Sequence, residues 1–265
     1  MGSLKEKVSF YLTDQTTPLG KAVEFFLLAV NLAACTLYVI ITYQSPNQLP
    51  LTLFILESAV VIIFSVEYIL RLGAAPHKIR HVVSFYAVVD LLSILPIFFG
   101  IHTSGFLRSF RVLRVLRFTR FLETETFFFG RLTALQLQVV RVLFTMFTII
   151  FIAAGFIHHA EAGQPGSLIE TFADAFYFAI VTLSTVGFGD ITPTTELGRW
   201  FTVVMIVSGI VLIPWQARRL VQLFLTADTE KRELSCPGCG LDRHDPEALY
   251  CKLCGAKLVR NRKQR

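Results

Sequence analysis

Six stretches of this chain, roughly residues 22–43, 51–72, 82–99, 106–122, 137–160 and 200–225, are each close to twenty residues long and mostly apolar. Coiled into a helix, a run of that length matches the ~30 Å hydrocarbon core of a bilayer. The composition agrees, because 54% of residues are hydrophobic and only 17% are charged, where a soluble domain carries about 25% charge. The opening MGSLKEKVSF holds no long apolar run and so reads as no cleavable signal peptide. Met1-Gly2 is followed by Glu6, where a myristoylation site carries Ser or Thr.

Loop charge sets the orientation. QSPNQLP after the first stretch and GIHTSG after the third carry no Lys or Arg. Lys5, Lys7 and Lys21 precede the first, Arg71, Lys78 and Arg80 sit in the loop after the second, and Arg218 and Arg219 lie at the end of the sixth with Lys231 and Arg232 beyond. Positive charge thus alternates with each crossing, which predicts a multi-pass protein of the cell membrane with both termini cytoplasmic.

Between the fifth and sixth stretches lies a shorter apolar run, 171–184 (TFADAFYFAIVTLS), followed by Thr185-Val186-Gly187-Phe188-Gly189-Asp190. Fourteen helical residues reach only about 21 Å, too little to cross. Gly187 and Gly189 then break any helix. Irregular backbone at membrane depth is tolerated only inside protein or along a water-filled path. A half-helix that dips in and returns as extended chain satisfies that constraint. Its carbonyls and the Thr185 hydroxyl form a ladder, and four copies around an axis replace the water shell of a cation. TVGFGD, with AFYFAIVTLS before it and ITP after it, closely resembles the selectivity filter of potassium channels.

Residues 108–120 (RSFRVLRVLRFTR) repeat arginine every third position: Arg108, Arg111, Arg114, Arg117 and Arg120. A central arginine costs about 2.5–3.5 kcal/mol on insertion scales, so five need acids or water on other helices. Glu57 and Glu67 in the second stretch and Asp90 in the third supply acids. On an α-helix such arginines spiral by about 60° per step, whereas a 3₁₀ helix lines them up, so part of this span is predicted to be 3₁₀. An amphipathic surface helix or a nucleic-acid-binding arm also explains the stripe, but leaves the three acids without a purpose. The set resembles the voltage sensor of voltage-gated cation channels. There an outer acid precedes an aromatic by seven residues and an inner acid follows it by three, as in Glu57, Phe64 and Glu67. The resemblance implies that Phe64 caps the path of the arginines and that Glu67 and Asp90 receive them from inside. Glu24, in the first stretch, receives no role.

Residues 121–135 (FLETETFFFGRLTAL) join the two halves, with Gly130 expected at a turn and Arg131 in the cytoplasm; by resemblance this is the lever onto the sixth span. Glu161 in HHAE matches an acid of the family at the outer end of the fifth span, and a solvated loop charge is the plain alternative. His158 and His159 beside it are either pH or metal sensors or inert interface histidines. Gly209 lies nineteen residues past Asp190, at the family's hinge position, and Pro214 removes a helical hydrogen bond. A kink is expected between them. The animal-type Pro-Val-Pro pattern is absent, leaving Ile213, Trp215 and Ala217 as candidate constrictions. Phe188 replaces the commoner tyrosine and lacks its hydroxyl, while Tyr177 and Phe178 stand where tryptophans often do. The filter is therefore expected to be potassium selective, less braced and prone to inactivation.

Beyond Leu225 the chain turns polar and presents Cys236-Pro-Gly-Cys239-Gly and Cys251-Lys-Leu-Cys254-Gly. Paired C-x₂-C knuckles read as a structural Zn²⁺ site, and about 40 residues need a metal to supply folding energy. A cytoplasmic location disfavours disulfides, and a redox dithiol pair is the alternative. His244 is a substitute ligand that four cysteines make unnecessary, and Cys35 is read as packing. The final VRNRKQR is basic and is expected to be disordered and near anionic lipid.

The reading is an all-α membrane protein: a cytoplasmic N-terminus (1–21), a four-helix voltage sensor (22–122), a linker (123–136), a two-helix pore module with a re-entrant pore loop (137–225), and a small cytoplasmic zinc ribbon (226–265). The resemblance to voltage-gated potassium channels, covering about residues 22–225, implies a homotetramer, since one filter strand cannot surround an ion. It implies passive K⁺ conduction with lipids as neighbours, no nucleic acid and no enzymatic reaction. The compact plan suggests a prokaryotic origin. Two other functions fit: a channel gated mainly by a zinc, redox or partner signal in the cytoplasm, and a membrane-anchored zinc-ribbon adaptor with a non-conducting pore. The ribbon's cytoplasmic partner is not specified by the sequence.

Overall fold

The computed structural model describes residues 18–44, 50–74, 78, 82–98, 109–122, 126–127, 130–131, 133–227, 232–233, 235–244 and 248–258. The fold is helical throughout its apolar part. Helices α1 (Pro18–Thr42), α2 (Leu51–Ala74) and α3 (Phe85–Phe98) are followed by a 3₁₀ helix, Phe110–Leu122. Then come α4 (Ala134–Glu161), α5 (Phe172–Leu183) and α6 (Glu196–Ala227). The only strands among the described residues are two-residue pairs. β1 (Thr126–Phe127) pairs with β2 (Gly130–Arg131), and β3 (Arg232–Glu233) with β4 (Arg243–His244), both antiparallel.

Among the described residues four helices, α1, α2, α4 and α6, are long and apolar enough to cross a membrane. The sequence suggested six full spans, and the third and fourth differ. The third begins at Phe85 rather than 82 because the Ser84 hydroxyl accepts from the Ala87 N–H, an N-cap that fixes the first turn. It is fourteen residues long. The fourth is thirteen residues of 3₁₀ helix, so the expected 3₁₀ geometry runs through the whole described arginine stripe.

Such length is uncommon, since 3₁₀ hydrogen bonds are poorer and runs beyond 3–4 residues are rare. Here the three-residue arginine repeat matches three residues per turn, so every arginine can face the same acids. Gly130 sits in β2 opposite Phe127, at the closing end of the short hairpin, in keeping with the expected turn there.

Two apolar cores organise the membrane part. A small one holds Ala34, Val60, Val61, Phe64 and Ile94, joining α1, α2 and α3. A larger one centres on α4 and α5 and reaches Tyr38 of α1 and Val112 and Val115 of the 3₁₀ helix. The arginine-bearing helix therefore packs on α4 of its own chain. Phe110 meets Phe156 edge-on at 5.7 Å and Phe118 meets Phe144 at 6.0 Å. Gly155 makes the approach possible: a Cβ there would stand 2.6 Å from Val112 Cγ2 and 2.8 Å from the Tyr38 hydroxyl.

Candidate functional site

The arginine face meets its acids across a buried interface. Arg111 Nη1 donates to Glu57 Oε2 at 2.8 Å and lies 2.7 Å from Oε1. Arg114, only 1% exposed, reaches the same carboxylate at a looser 3.8 Å. Arg117 lies 3.2 Å from Asp90 and 3.6 Å from Glu67, and its guanidinium carbon stands 3.7 Å over the Phe64 ring. Arg71 holds Glu67 at 2.9 Å from one turn along the same helix. Two arginines are thus gathered on Glu57 and a third sits at Phe64 between Glu67 and Asp90. Arg108, the side chain of Arg120 and that of Glu24 lie outside the described residues. Sequence reasoning missed Asn31, buried in α1 with neither amide atom partnered in the described structure.

The second constellation lies between α4, α5 and α6. Thr171 and Asp174 form a reciprocal capping box at the start of α5. Twelve residues later α5 stops at Leu183. The N–H groups of Thr185, Val186 and Gly187 turn back onto carbonyls of α5, at Thr182 and Val181. In trans peptides the preceding carbonyls then point the other way. Thr185, Gly187 and Gly189 have φ of 63°, 57° and 76°. Every second residue is left-handed, at two glycines and at a threonine whose side chain bears that strain. Val186 and Phe188 are exposed on the single chain.

Glu161 ties this region together. It is 0% exposed and accepts from the Ser167, Thr194 and Thr195 hydroxyls and from the Thr194 and Thr195 N–H groups, at 2.6–3.0 Å. Gly198 leaves room for its carboxylate. The solvated-charge alternative for Glu161 is excluded by this burial. His158 is buried too, with a hydrogen bond to the Glu170 backbone. The Tyr177 hydroxyl donates to Asp190 Oδ2 at 2.9 Å. This bond ties α5 to the end of the TVGFGD segment at Asp190, two residues past Phe188.

Helix α6 runs through both Gly209 and Pro214. Gly209 is buried, and any Cβ there would run into Leu183 Cδ1 at the end of α5. Its first service is therefore close packing under the TVGFGD segment. Past Pro214, Gln138 donates from α4 to the Gln216 carbonyl and side chain, both at 3.1 Å, and Gln216 donates to Thr145 at 3.3 Å. Ile213 packs on the larger core. Trp215 is exposed beneath the Arg219 guanidinium at 4.6 Å.

In the tail, the Sγ atoms of Cys236, Cys239, Cys251 and Cys254 all lie within 4.8 Å of one another. Zn–S bonds of about 2.3 Å in a tetrahedron place sulfurs about 3.8 Å apart, and the closest pairs here are 3.5 and 3.6 Å. Gly238 and Leu253 N–H groups donate to Cys236 and Cys251 sulfurs at 3.4 Å each, as knuckles around thiolates do. A hydrogen bond from buried His244 is the main cause pulling the Cys251 thiol down to about 5. The donor set fits a metal, with His244 supporting a ligand instead of replacing one.

Residues 20–214 match the family model described as ion transport protein. Over 169 residues, 60% of this chain, the sequence is 33% identical to the A-type voltage-gated potassium channel KCND3 of Rattus norvegicus and to that of Homo sapiens. The match spans only 26% of those relatives' length. With a family model matched along most of its length, on the helices that carry both constellations, the chain belongs to the ion transport protein family.

Proposed function

We propose that this chain is one subunit of a voltage-gated potassium channel of the cell membrane, with both termini cytoplasmic. The observation that carries the reading is the arginine face of the 3₁₀ helix, paired with Glu57 and with Glu67 and Asp90 around Phe64. Residues 22–122 act as the sensor, 123–136 as the linker and 137–225 as the pore. Arg108, Arg111, Arg114, Arg117 and Arg120 carry the gating charge. Each charge crossing the field is worth ~2.3 kcal/mol per 100 mV, so about three per subunit in a tetramer give ~28 kcal/mol per 100 mV. Membrane potential can therefore drive the pore.

Thr185, Val186, Gly187, Phe188, Gly189 and Asp190 form the selectivity filter, on a loop that re-enters the membrane behind α5. The carbonyl end of α5 carries about half a negative charge and favours a cation beneath the filter. Val186 and Phe188, exposed on one chain, face the other copies of a homotetramer. Gly209 and Pro214 shape the inner gate. Cys236, Cys239, Cys251 and Cys254 hold a structural Zn²⁺ in a cytoplasmic ribbon.

The relatives named potassium channels support K⁺ as cargo. Purified protein in planar bilayers tests the reading. Currents should grow with voltage steps, and their reversal potential should track the K⁺ gradient with Na⁺ on the other side. A reversal potential indifferent to K⁺ sinks selectivity, and an open probability indifferent to voltage sinks the sensor.

A further inference from the structure

The two knuckles of the tail differ in character. The first turns through Pro237 and Gly238, the second through Lys252 and Leu253. The module's core is small: Cys236, Cys251 and Leu258, backed by Leu241, Ala248 and Ala256. Outside it stand Leu249, Tyr250 and Leu253, 61, 60 and 72% exposed. Among the described residues these are the module's only exposed large apolar side chains, and all belong to the second knuckle. Tyr250 pairs with Lys257 across an antiparallel bridge, so a ring and a cation share one side.

Charge is divided the same way. Residues 228–247 hold six acids and three Lys or Arg, whereas 248–265 hold six Lys or Arg and no acid. The module is also tethered closely. From the end of α6 at Ala227 to Cys236 is nine residues, a reach of at most about 32 Å.

We propose that the second knuckle docks on the anionic cytoplasmic surface of the membrane beside its own pore helix. Leu249, Tyr250 and Leu253 enter the headgroup boundary, while Lys252 and Lys257 lie over acidic lipid headgroups. The inference rests on the cytoplasmic placement and metal-held fold of the tail proposed above. Leucine and tyrosine at the interface combined with the two lysines make two weak anchors that together hold. The short tether makes the encounter intramolecular, so neither anchor needs high affinity alone. A nucleic acid would answer the charge and leave the leucines unexplained. A neighbouring subunit's first knuckle offers acids, but no exposed large apolar side chain among its described residues to receive Leu253. Docking would fix the inner end of α6 against the bilayer and make the gate sensitive to lipid charge.

Hydrogen–deuterium exchange on the full-length tetramer tests this. The protein is placed in nanodiscs of pure phosphatidylcholine and in nanodiscs with three parts in ten phosphatidylserine, and zinc is quantified in the same samples. Amides of 248–258 should exchange more slowly in phosphatidylserine only, and the protection should fade in high salt. The Lys252→Gln/Lys257→Gln variant should lose about fivefold of the protection for each lysine removed, and Leu253→Ser should lose most of it, both with zinc retained. Equal protection in both lipids, as a neighbouring subunit would give, overturns the proposal. So does a zinc-loaded tail unprotected in either lipid. Samples with no zinc and no protection overturn the ribbon reading and the docking with it.

Discussion

Glu57 and Glu161 are both buried carboxylates, and their surroundings differ in kind. Glu57 is held by Arg111 and, more loosely, by Arg114, two cations spaced along one helix. Glu161 is held by five neutral donors, two of them backbone N–H groups fixed at the start of α6. The partners of Glu57 are chemically identical, so the helix can slide by one repeat and leave the acid paired. The partners of Glu161 are unique and bound to the chain, so it has one satisfied geometry. On the proposed function, the half of the molecule carrying Glu57 would exchange contacts and the half carrying Glu161 would keep them. A buried charge can serve motion or rigidity according to whether its partners repeat.

The strongest way to break this comparison is Glu161→Gln, which turns one acceptor oxygen into a donor facing donors. Leaving buried groups unsatisfied costs about 1–3 kcal/mol each, so the tetramer should melt far earlier in detergent; an unchanged melting point would remove Glu161 from the scaffold. Glu57→Gln should leave melting nearly intact and instead move the charge–voltage curve away from the state described. The lost charged hydrogen bond is worth about 2 kcal/mol, which three charges convert to roughly 30 mV. Gating currents with an unmoved midpoint would contradict the exchange role.

Gly209→Ala should cost about 1–2 kcal/mol by overpacking, and Leu183→Ala on the same background should restore pore stability if the contact with Leu183 is the reason; no rescue would return Gly209 to being a hinge. Smallest, Tyr177→Phe should cost about 1 kcal/mol and hasten the decay of current during long pulses. Phe188→Tyr should slow that decay only if its new hydroxyl finds a partner. An unaltered decay in Tyr177→Phe would show that the bond to Asp190 braces nothing.

What the sequence displayed and what it hid follow from range. Apolar length is a local property, so α1, α2, α4 and α6 were readable within a few residues. The arginine repeat announced both the buried face and the 3₁₀ geometry, because a spacing of three suits only one helix type. The start of α3 was misjudged because hydropathy continues past the point where Ser84 caps the helix. The partners of Glu161 lie 33 and 34 residues away on Thr194 and Thr195, and no local pattern connects them. The Gln138–Gln216 clasp is longer-range still. Gly209 drew attention as a flexible point, yet the structure gives it a packing reason visible only once Leu183 is placed in space.

The arginine helix also has a length that depends on its type. Thirteen residues at about 2.0 Å each extend about 26 Å, and the same residues as α-helix extend about 20 Å. Rewinding it would shorten the segment by about 6 Å and fan the arginines out by about 60° per repeat. On the proposed sensing role such a segment would be a spring as well as a piston: with its middle held at Phe64, its ends could still approach each other. Probes at Ser109 and Leu122 whose separation falls when voltage is reversed would reveal the spring, and a constant separation would leave only the piston.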